Sequence, residues 1–347
     1  MLTPVLVNFA VTRRCNLRCI HCYSEAVREP HPKELTTEEA KDLIIDVAKT
    51  GVKMLIFDGG EPTLREDLPE LVKIAYDNGL IPLLGTNGAD DVLTKTLLRK
   101  LREAGIKAIA ISLDGVNPKT HDEFRGVEGA WEKTLKGINN AREVGVPFQI
   151  NIAVHRKNFN ELPALIDLAK KLGAIAVEIF DFVAVGRGRE HVDYELLDEE
   201  RIKLVRYIIK RQFEEEIPIR IIAVPQYWIE ALKETENKRE YLSRFTQTCC
   251  AAGRRYATIL YDGTVYPCML LPIPLGNIRD KRFSEIWRES EILNKLRDPR
   301  FLRGRCRDCK YNNICIGARC KAFAKTRDIF AEDPTCWFAK NREKNTT

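Results

Sequence analysis

Two apolar patterns alternate along the first half of this chain. Short, nearly continuous apolar runs at 5–11, 52–57, 80–85, 107–113, 148–154 and 174–182 read as buried strands, since a strand covered on both faces has no polar side to show. Between them, at 36–51, 68–76, 92–104, 130–144 and 158–172, apolar residues return every three or four positions, the period of one helical face. Local punctuation agrees. Thr36 and Glu39 form a capping box, Gly51 and Asn78-Gly79 stop helices, and Asn158 with Glu161 caps the helix that runs to Leu172. Six β-then-α units predict an α/β fold whose parallel sheet is covered by helices on the outside. A closed barrel of this kind takes eight units, so six predict a partial (β/α)6 TIM-like barrel, open enough for a large substrate. Chemistry in such barrels collects at the C-terminal ends of the strands.

After 182 the rhythm changes. Gly186-Arg187-Gly188-Arg189 reads as a flexible cationic loop at the barrel mouth, and guanidinium groups there would suit carboxylate or phosphate. A long charged helix over 196–215, a short strand over 218–224 and an aromatic-bearing helix over 225–245 follow. Runs at 256–261 and 264–267 flank Asp262-Gly263, a strong hairpin signal. The expected division is a barrel over 1–215, a connecting strand and helix over 216–245, a small cysteine-rich α+β domain over 246–340 and a tail over 341–347.

Charge changes this picture little. A formal charge of +6 over 347 residues, with basic and acidic side chains alternating on helical faces, reads as solvated surface; no basic run argues for nucleic acid. The start has no secretory pattern and no apolar span reaches about 18 residues, so neither export nor membrane insertion is expected and the chain is assigned to the cytoplasm. Eleven cysteines in that compartment point to metal and away from disulfides. Three lie at 15–22 and eight after 248, which makes two metal-binding regions separated by a scaffold.

The first region, Cys15-Asn-Leu-Arg-Cys19-Ile-His-Cys22, follows the first strand. Three thiolates at this spacing can hold three irons of a [4Fe–4S] cube, leaving a fourth iron open to a small molecule. Zinc sites use two C-x2-C pairs instead. Marked residues stand at other strand ends. Asp58-Gly59-Gly60-Glu61-Pro62 follows the second strand, with glycines that let backbone approach a ligand closely. Thr86-Asn87-Gly88 follows the third, and Ser112-Leu113-Asp114-Gly115 follows the fourth. Polar side chains so placed suit ribose hydroxyls and a carboxylate.

The cysteine spacing, with His21 just before the third thiol, resembles the radical SAM enzymes. The resemblance implies that the open iron chelates S-adenosylmethionine and that one-electron reduction gives a 5′-deoxyadenosyl radical. By position it implies that Gly59, Gly60 and Glu61 receive the methionyl amine and that Ser112 and Asp114 meet the ribose and a carboxylate. In the same way Arg125, in His121-Asp-Glu-Phe-Arg125-Gly126, would bind the methionyl carboxylate, with His21, Asn87 and Asn151 as further pocket residues. The C-terminal cysteines resemble the SPASM extension of radical SAM maturases, which holds up to two auxiliary [4Fe–4S] clusters. That likeness assigns Cys306, Cys309, Cys315 and Cys336 to one cluster. Cys268 and Cys320 go to the other, with Cys249, Cys250 or both. Four residues separate Cys315 from Cys320 where the family has three.

Strings such as Gly276-Asn-Ile-Arg279 and Phe283-Ser-Glu-Ile-Trp287 resemble the branch of heme and heme d1 biosynthesis proteins. That branch also includes the group that modifies the cofactor of tungsten-containing aldehyde ferredoxin oxidoreductase. The expectation leans to the last: a maturase acting on tungstopterin or its host enzyme, fed by a low-potential donor such as ferredoxin. Alternatives are a tetrapyrrole-modifying enzyme that removes acetate or propionate carbons, a peptide-modifying maturase, and a non-catalytic iron–sulfur electron carrier. The SAM-binding elements argue against the carrier, which needs no cofactor pocket.

Overall fold

The computed structural model describes residues 3–214, 217–234, 250–312 and 315–338. Seven strands run parallel and in chain order: β1 (Leu6–Thr12), β2 (Met54–Gly59), β3 (Ile81–Thr86), β4 (Ala108–Ser112), β5 (Phe148–Val154), β6 (Val177–Asp181) and β7 (Ile219–Ile222). The six expected strands are all present, and the short strand expected near 218–224 extends the sheet as β7. Helices α1 (Thr37–Lys49), α2 (Leu68–Asp77), α3 (Lys95–Glu103), α5 (Ala130–Val144) and α6 (Leu162–Leu172) cover one face. A helix between them, α4 (Pro118–Arg125), was not expected; its signals are the Asn117 cap, Pro118 in the first turn and the left-handed Gly126 that ends it.

The two faces of the sheet differ, and that difference creates the site. Toward the helices point fully buried apolar residues such as Phe9, Phe57, Leu84, Ile111, Ile150 and Ile179. The alternate positions form the concave face, and many are half-buried and polar: Asp58, Ser112, Gln149, Asn151 and Glu178. The strands are therefore not uniformly apolar. Their concave side is left for a ligand.

The C-terminal region joins this same sheet. Strand β8 (Tyr256–Ile259) pairs parallel to β1, Leu6 opposite Tyr256, and β9 (Thr264–Tyr266) and β10 (Gly276–Asn277) continue antiparallel beyond it. The expected Asp262-Gly263 hairpin is thus built onto the barrel's first strand, giving one ten-stranded sheet that ends at β10 and β7. Among the described residues, no helix is long and apolar enough to cross a membrane.

The expected capping box at Thr36 and Glu39 is present. The one at Asn158 is not. Asn158 Nδ2 instead donates to Asp114 O (2.9 Å) and Ala153 O (3.0 Å), and Glu161 accepts from Val116 N (3.0 Å) and Thr120 Oγ1. Both side chains reach back to shape the loop after β4, because that loop's buried polar groups have no water to turn to.

Candidate metal and cofactor centre

Where β1 ends, the chain enters the loop carrying Cys15, Cys19 and Cys22, and four neighbouring segments fix it. Glu34 Oε1 accepts from Thr12 Oγ1 (2.9 Å) and Arg13 N (2.8 Å). From the end of β2, Gly60 N donates to Thr12 O (2.8 Å) and Glu61 N to Arg14 O (2.7 Å). A Cβ at Gly60 would lie 2.2 Å from Arg14 O, so this approach admits only glycine. From α4, the carbonyls of Arg125 and Phe124 accept from Arg18 N and Ile20 N. The fourth support is the loop after β6. Gly186 (φ +55°) leaves 2.3 Å between a notional Cβ and Cys22 O, and Arg187 donates from Nε to Cys19 O (3.0 Å) and from Nη1 to Ala26 O (2.7 Å). Arg189 pairs with Glu25 at 2.8 Å. The arginines expected to wait for an anionic substrate are therefore spent on the cysteine loop.

The three thiols share a small pocket with Leu17, Ala26 and Ala130. Each sulfur accepts a hydrogen bond: Cys15 from Leu17 N (3.4 Å), Cys22 from Ala26 N (3.4 Å) and Cys19 from Arg125 Nη1 (3.8 Å). Donors aimed at sulfur are what the thiolates of an iron–sulfur site use. Burial, helped by the Glu61 carboxylate, pushes the Cys15 thiol up to about 12, and burial raises Cys19 against the opposing pull of Arg125. Iron must then displace protons when it binds. Among the described residues no three His, Cys, Asp or Glu side chains converge tightly enough to grip a single ion. A four-iron cube meets each sulfur at its own corner and does not need that convergence.

Around this loop the structure gathers most of the expected pocket residues, in three different situations. Glu61 is fully buried and its carboxylate accepts from Thr63 N, Thr63 Oγ1, Thr86 Oγ1 and Asn87 N at 2.6–3.2 Å. It organises the end of β3 and has no free oxygen directed at an amine. Asn87 in turn donates to Asn16 Oδ1 (2.7 Å), beside Cys15. Asp114 Oδ1 accepts from Ala153 N (2.7 Å), and its Oδ2, buried without a hydrogen bond, pairs by charge with Arg125 Nη2 at 2.5 Å. Arg125 thus lies between Asp114 and the Cys19 sulfur, and its Nε is buried without a partner. A carboxylate beside the open iron would complete it. Ser112 and Asn151 stand side by side on the concave face, Asn151 accepting from Gln149 Nε2 (2.8 Å).

His21 stacks on Phe124 (4.1 Å between centroids, 4° apart), and His155 stacks on the other side (4.1 Å). Burial holds His21 neutral, with Arg125 adding to the effect. Buried His121 and His155 are also held neutral, each pushed down to about 3, chiefly by burial. Unfolded histidines titrate near 6.5, so between about 6.5 and 3 the unfolded chain binds more protons and stability falls with pH. Each such histidine should steepen the acid slope by about 1 kcal/mol per pH unit. His155→Phe, which keeps a ring in the stack, is expected to flatten the slope of urea-denaturation stability of the iron-free protein between pH 6.5 and 4; an unchanged slope would refute this.

The C-terminal thiols form two groups. Cys268 and Cys320 are raised chiefly by burial, Cys268 to about 12, and the nearby Cys250 adds to both. Cys306 and Cys336 lie near enough to Cys315 to help burial raise its thiol, and Cys309 is half-buried in the turn after Cys306. Cys306 Sγ accepts from Asp333 N (3.4 Å) and Arg319 Nη2 (3.8 Å). Asp333 is buried and accepts from Ala318 N and Gln226 Nε2, tying this set to α8 (Gln226–Glu234). Cys249 lies outside the described residues. Cys320 packs with Val183, Val185 and Tyr23, the residue after Cys22, so one auxiliary set abuts the barrel mouth.

Sequence comparison agrees with this arrangement. The Radical SAM superfamily model matches residues 9–169 and the SPASM iron-sulfur cluster-binding domain model matches 249–310. An AdoMet-dependent heme synthase of Methanosarcina barkeri is 38% identical over 98% of both chains. An Fe-coproporphyrin III synthase of the same organism is 33% identical over 97% of this chain and 88% of its own. In three dimensions, Streptococcus suis SuiB bound to S-adenosylmethionine superposes with a TM-score of 0.74, at 18% identity, over 96% of this chain and 77% of its own. The expected tungsten-cofactor function is overturned: relatives 31–38% identical carry the names heme synthase, Fe-coproporphyrin III synthase and pre-heme d1 synthase. The grounds for that lean, a similar length, a thermophile-like composition and Tyr256 with the Pro225-Gln-Tyr-Trp228 stretch, do not report the substrate. With a thiol-lined loop at the mouth of a parallel sheet, two cysteine sets beyond it and end-to-end likeness to such synthases, the chain belongs to the radical SAM superfamily, its C-terminal part to the SPASM type, and it is an enzyme whose cofactors are [4Fe–4S] clusters and S-adenosylmethionine.

Proposed function

We propose that this enzyme modifies a carboxylate-bearing tetrapyrrole, removing carboxyl-bearing carbons on the way to a heme-type product. The observation that carries the reading is the 38% identity to a heme synthase over nearly the whole length of both chains. Peptide cyclases are also relatives, at 28–31% identity. The tetrapyrrole reading rests on the higher identity and on a concave sheet face wide enough to span eight strands.

Cys15, Cys19 and Cys22 would hold the SAM-binding cluster, and the free Nε of Arg125 would receive the methionyl carboxylate. Gly59 and Gly60 would keep backbone close to the methionyl amine, while Ser112 and Asn151 would meet the ribose. Glu61, Asn87 and Asp114 would act one step back, holding the strand ends and Arg125 in position. Neutral His21, stacked on Phe124, would present a flat uncharged ring beside the cluster. Bound together, reduced cluster and S-adenosylmethionine supply hydrogen-atom abstraction from an unactivated carbon. An external low-potential donor such as ferredoxin would provide the electron. The C-terminal thiols, with Cys249 or Cys250 completing the nearer set, would hold auxiliary clusters.

The test is anaerobic incubation of the reconstituted enzyme with S-adenosylmethionine, a reductant and Fe-coproporphyrin III. The expected result is 5′-deoxyadenosine formed in step with a tetrapyrrole that has lost carboxyl mass. Unchanged tetrapyrrole, with that compound and with other carboxylated iron tetrapyrroles, would remove the assignment while leaving the family intact.

A further inference from the structure

We infer that Arg220, on β7, the last strand of the sheet among the described residues, anchors a carboxylate of the substrate on the concave face of the sheet. The inference rests on the tetrapyrrole reading above and on the register of four strands. Ser112 on β4 lies opposite Asn151 on β5, Asn151 opposite Glu178 on β6, and Glu178 opposite Arg220 on β7. Paired positions on neighbouring strands share a face, so these four side chains form one transverse polar row on the concave side. The row starts at two residues proposed for the ribose and ends at the last strand of the sheet among the described residues.

Charge along that face is sparse. Following the register from β8 through β1 to β7, the concave positions are apolar or neutral except for Asp58, Glu178 and Arg220. Among the described residues, Arg220 is the single cation that these strands turn to that side. Its side chain is 49% exposed, and its ion pair with Glu178 is long, at 4.0 Å, with Glu178 19% exposed. Glu178 also accepts from Gln149 Nε2 at 3.2 Å, so it is held from the far side and leaves the guanidinium's outer edge open. A planar fork with unused donors, on a concave face that carries no other cation among the described strand residues, suits bidentate capture of a carboxylate. Arg187 and Arg189, in the loop after β6, are engaged by the cysteine loop. A tetrapyrrole held at one carboxylate by Arg220 would extend its ring along the row toward the ribose end, where hydrogen abstraction takes place.

The test titrates the reconstituted enzyme, with S-adenosylmethionine present, with Fe-coproporphyrin III and separately with its methyl ester, following the Soret band. Wild type, Arg220→Ala and Arg220→Lys are compared. Loss of a charge-assisted contact should weaken binding of the free acid about tenfold or more in the alanine variant. The lysine variant should recover part of that loss, and the ester should bind wild type and alanine variant alike. Equal affinity of wild type and alanine variant for the free acid overturns the anchor, as does an equal loss for acid and ester, which would mean a packing role. Failure of the wild type to bind any tetrapyrrole overturns the substrate reading itself, a distinct result.

Discussion

Replacing Cys15, Cys19 and Cys22 together by Ala is expected to abolish 5′-deoxyadenosine formation while iron stays bound in the C-terminal region. The three sulfurs sit in one loop, and the eight C-terminal cysteines lie on a separate stretch of chain that reaches the barrel through β8. Removing the sulfurs does not dismantle the loop. Its backbone is tied by Glu34, by Gly60 and Glu61, by α4 and by Arg187, none of which needs iron. Reconstituted wild type should carry on the order of 8–12 irons, for two or three cubes, and the triple variant about four fewer. Iron content and chromatographic assay of 5′-deoxyadenosine check both halves. Continued cleavage by the variant would move the radical-generating site elsewhere, and loss of all the iron would show that the regions do not assemble independently.

The barrel was legible because each strand's helix-facing side is fully buried and apolar, and its concave side keeps enough apolar residues to leave short apolar runs. Helix starts carry their own chemistry, as at Thr36. The site was legible as a set of positions, since strand ends converge whatever else the fold does. Its internal wiring was not. Glu61 and Asp114 read as ligand contacts, but once buried a carboxylate takes whichever donors are nearest, and those were Thr63, Thr86 and Asn87 for one and Ala153 and Arg125 for the other. Arg187 read as a free cation because its partners, the carbonyls of Cys19 and Ala26, lie more than 160 residues away and leave no sequence pattern. The parallel pairing of β8 with β1 was hidden for the same reason. A hairpin signal reports its own two strands and is silent about the third strand that either of them meets.

Asp181→Ala is expected to cost about 3–5 kcal/mol of stability, because it strands two buried cations. Asp181 ends β6, and its carboxylate pairs with Arg201 Nε at 2.6 Å and with the ammonium of Lys321. The arginine and lysine side chains are only 2% and 3% exposed. Arg201 belongs to α7 (Asp198–Glu214) and Lys321 to the helix Arg319–Thr326, next to Cys320, so one carboxylate joins the barrel to the auxiliary region. After the substitution Arg201 retains Leu196 O at 2.9 Å and Asp198 at 3.4 Å, whereas Lys321 keeps the charge of nearby Asp333 but, among the described residues, no other hydrogen bond. Attraction inside the network roughly offsets the cost of burying three charges, so the network itself adds little, but an incomplete network is expensive. The triple variant Asp181→Leu, Arg201→Met, Lys321→Met should therefore be far closer to wild type than the single one. Urea denaturation of all three proteins distinguishes the cases. A single variant as stable as wild type would mean that water reaches these cations, and a triple variant as weak as the single one would mean that the charges themselves hold the two regions together.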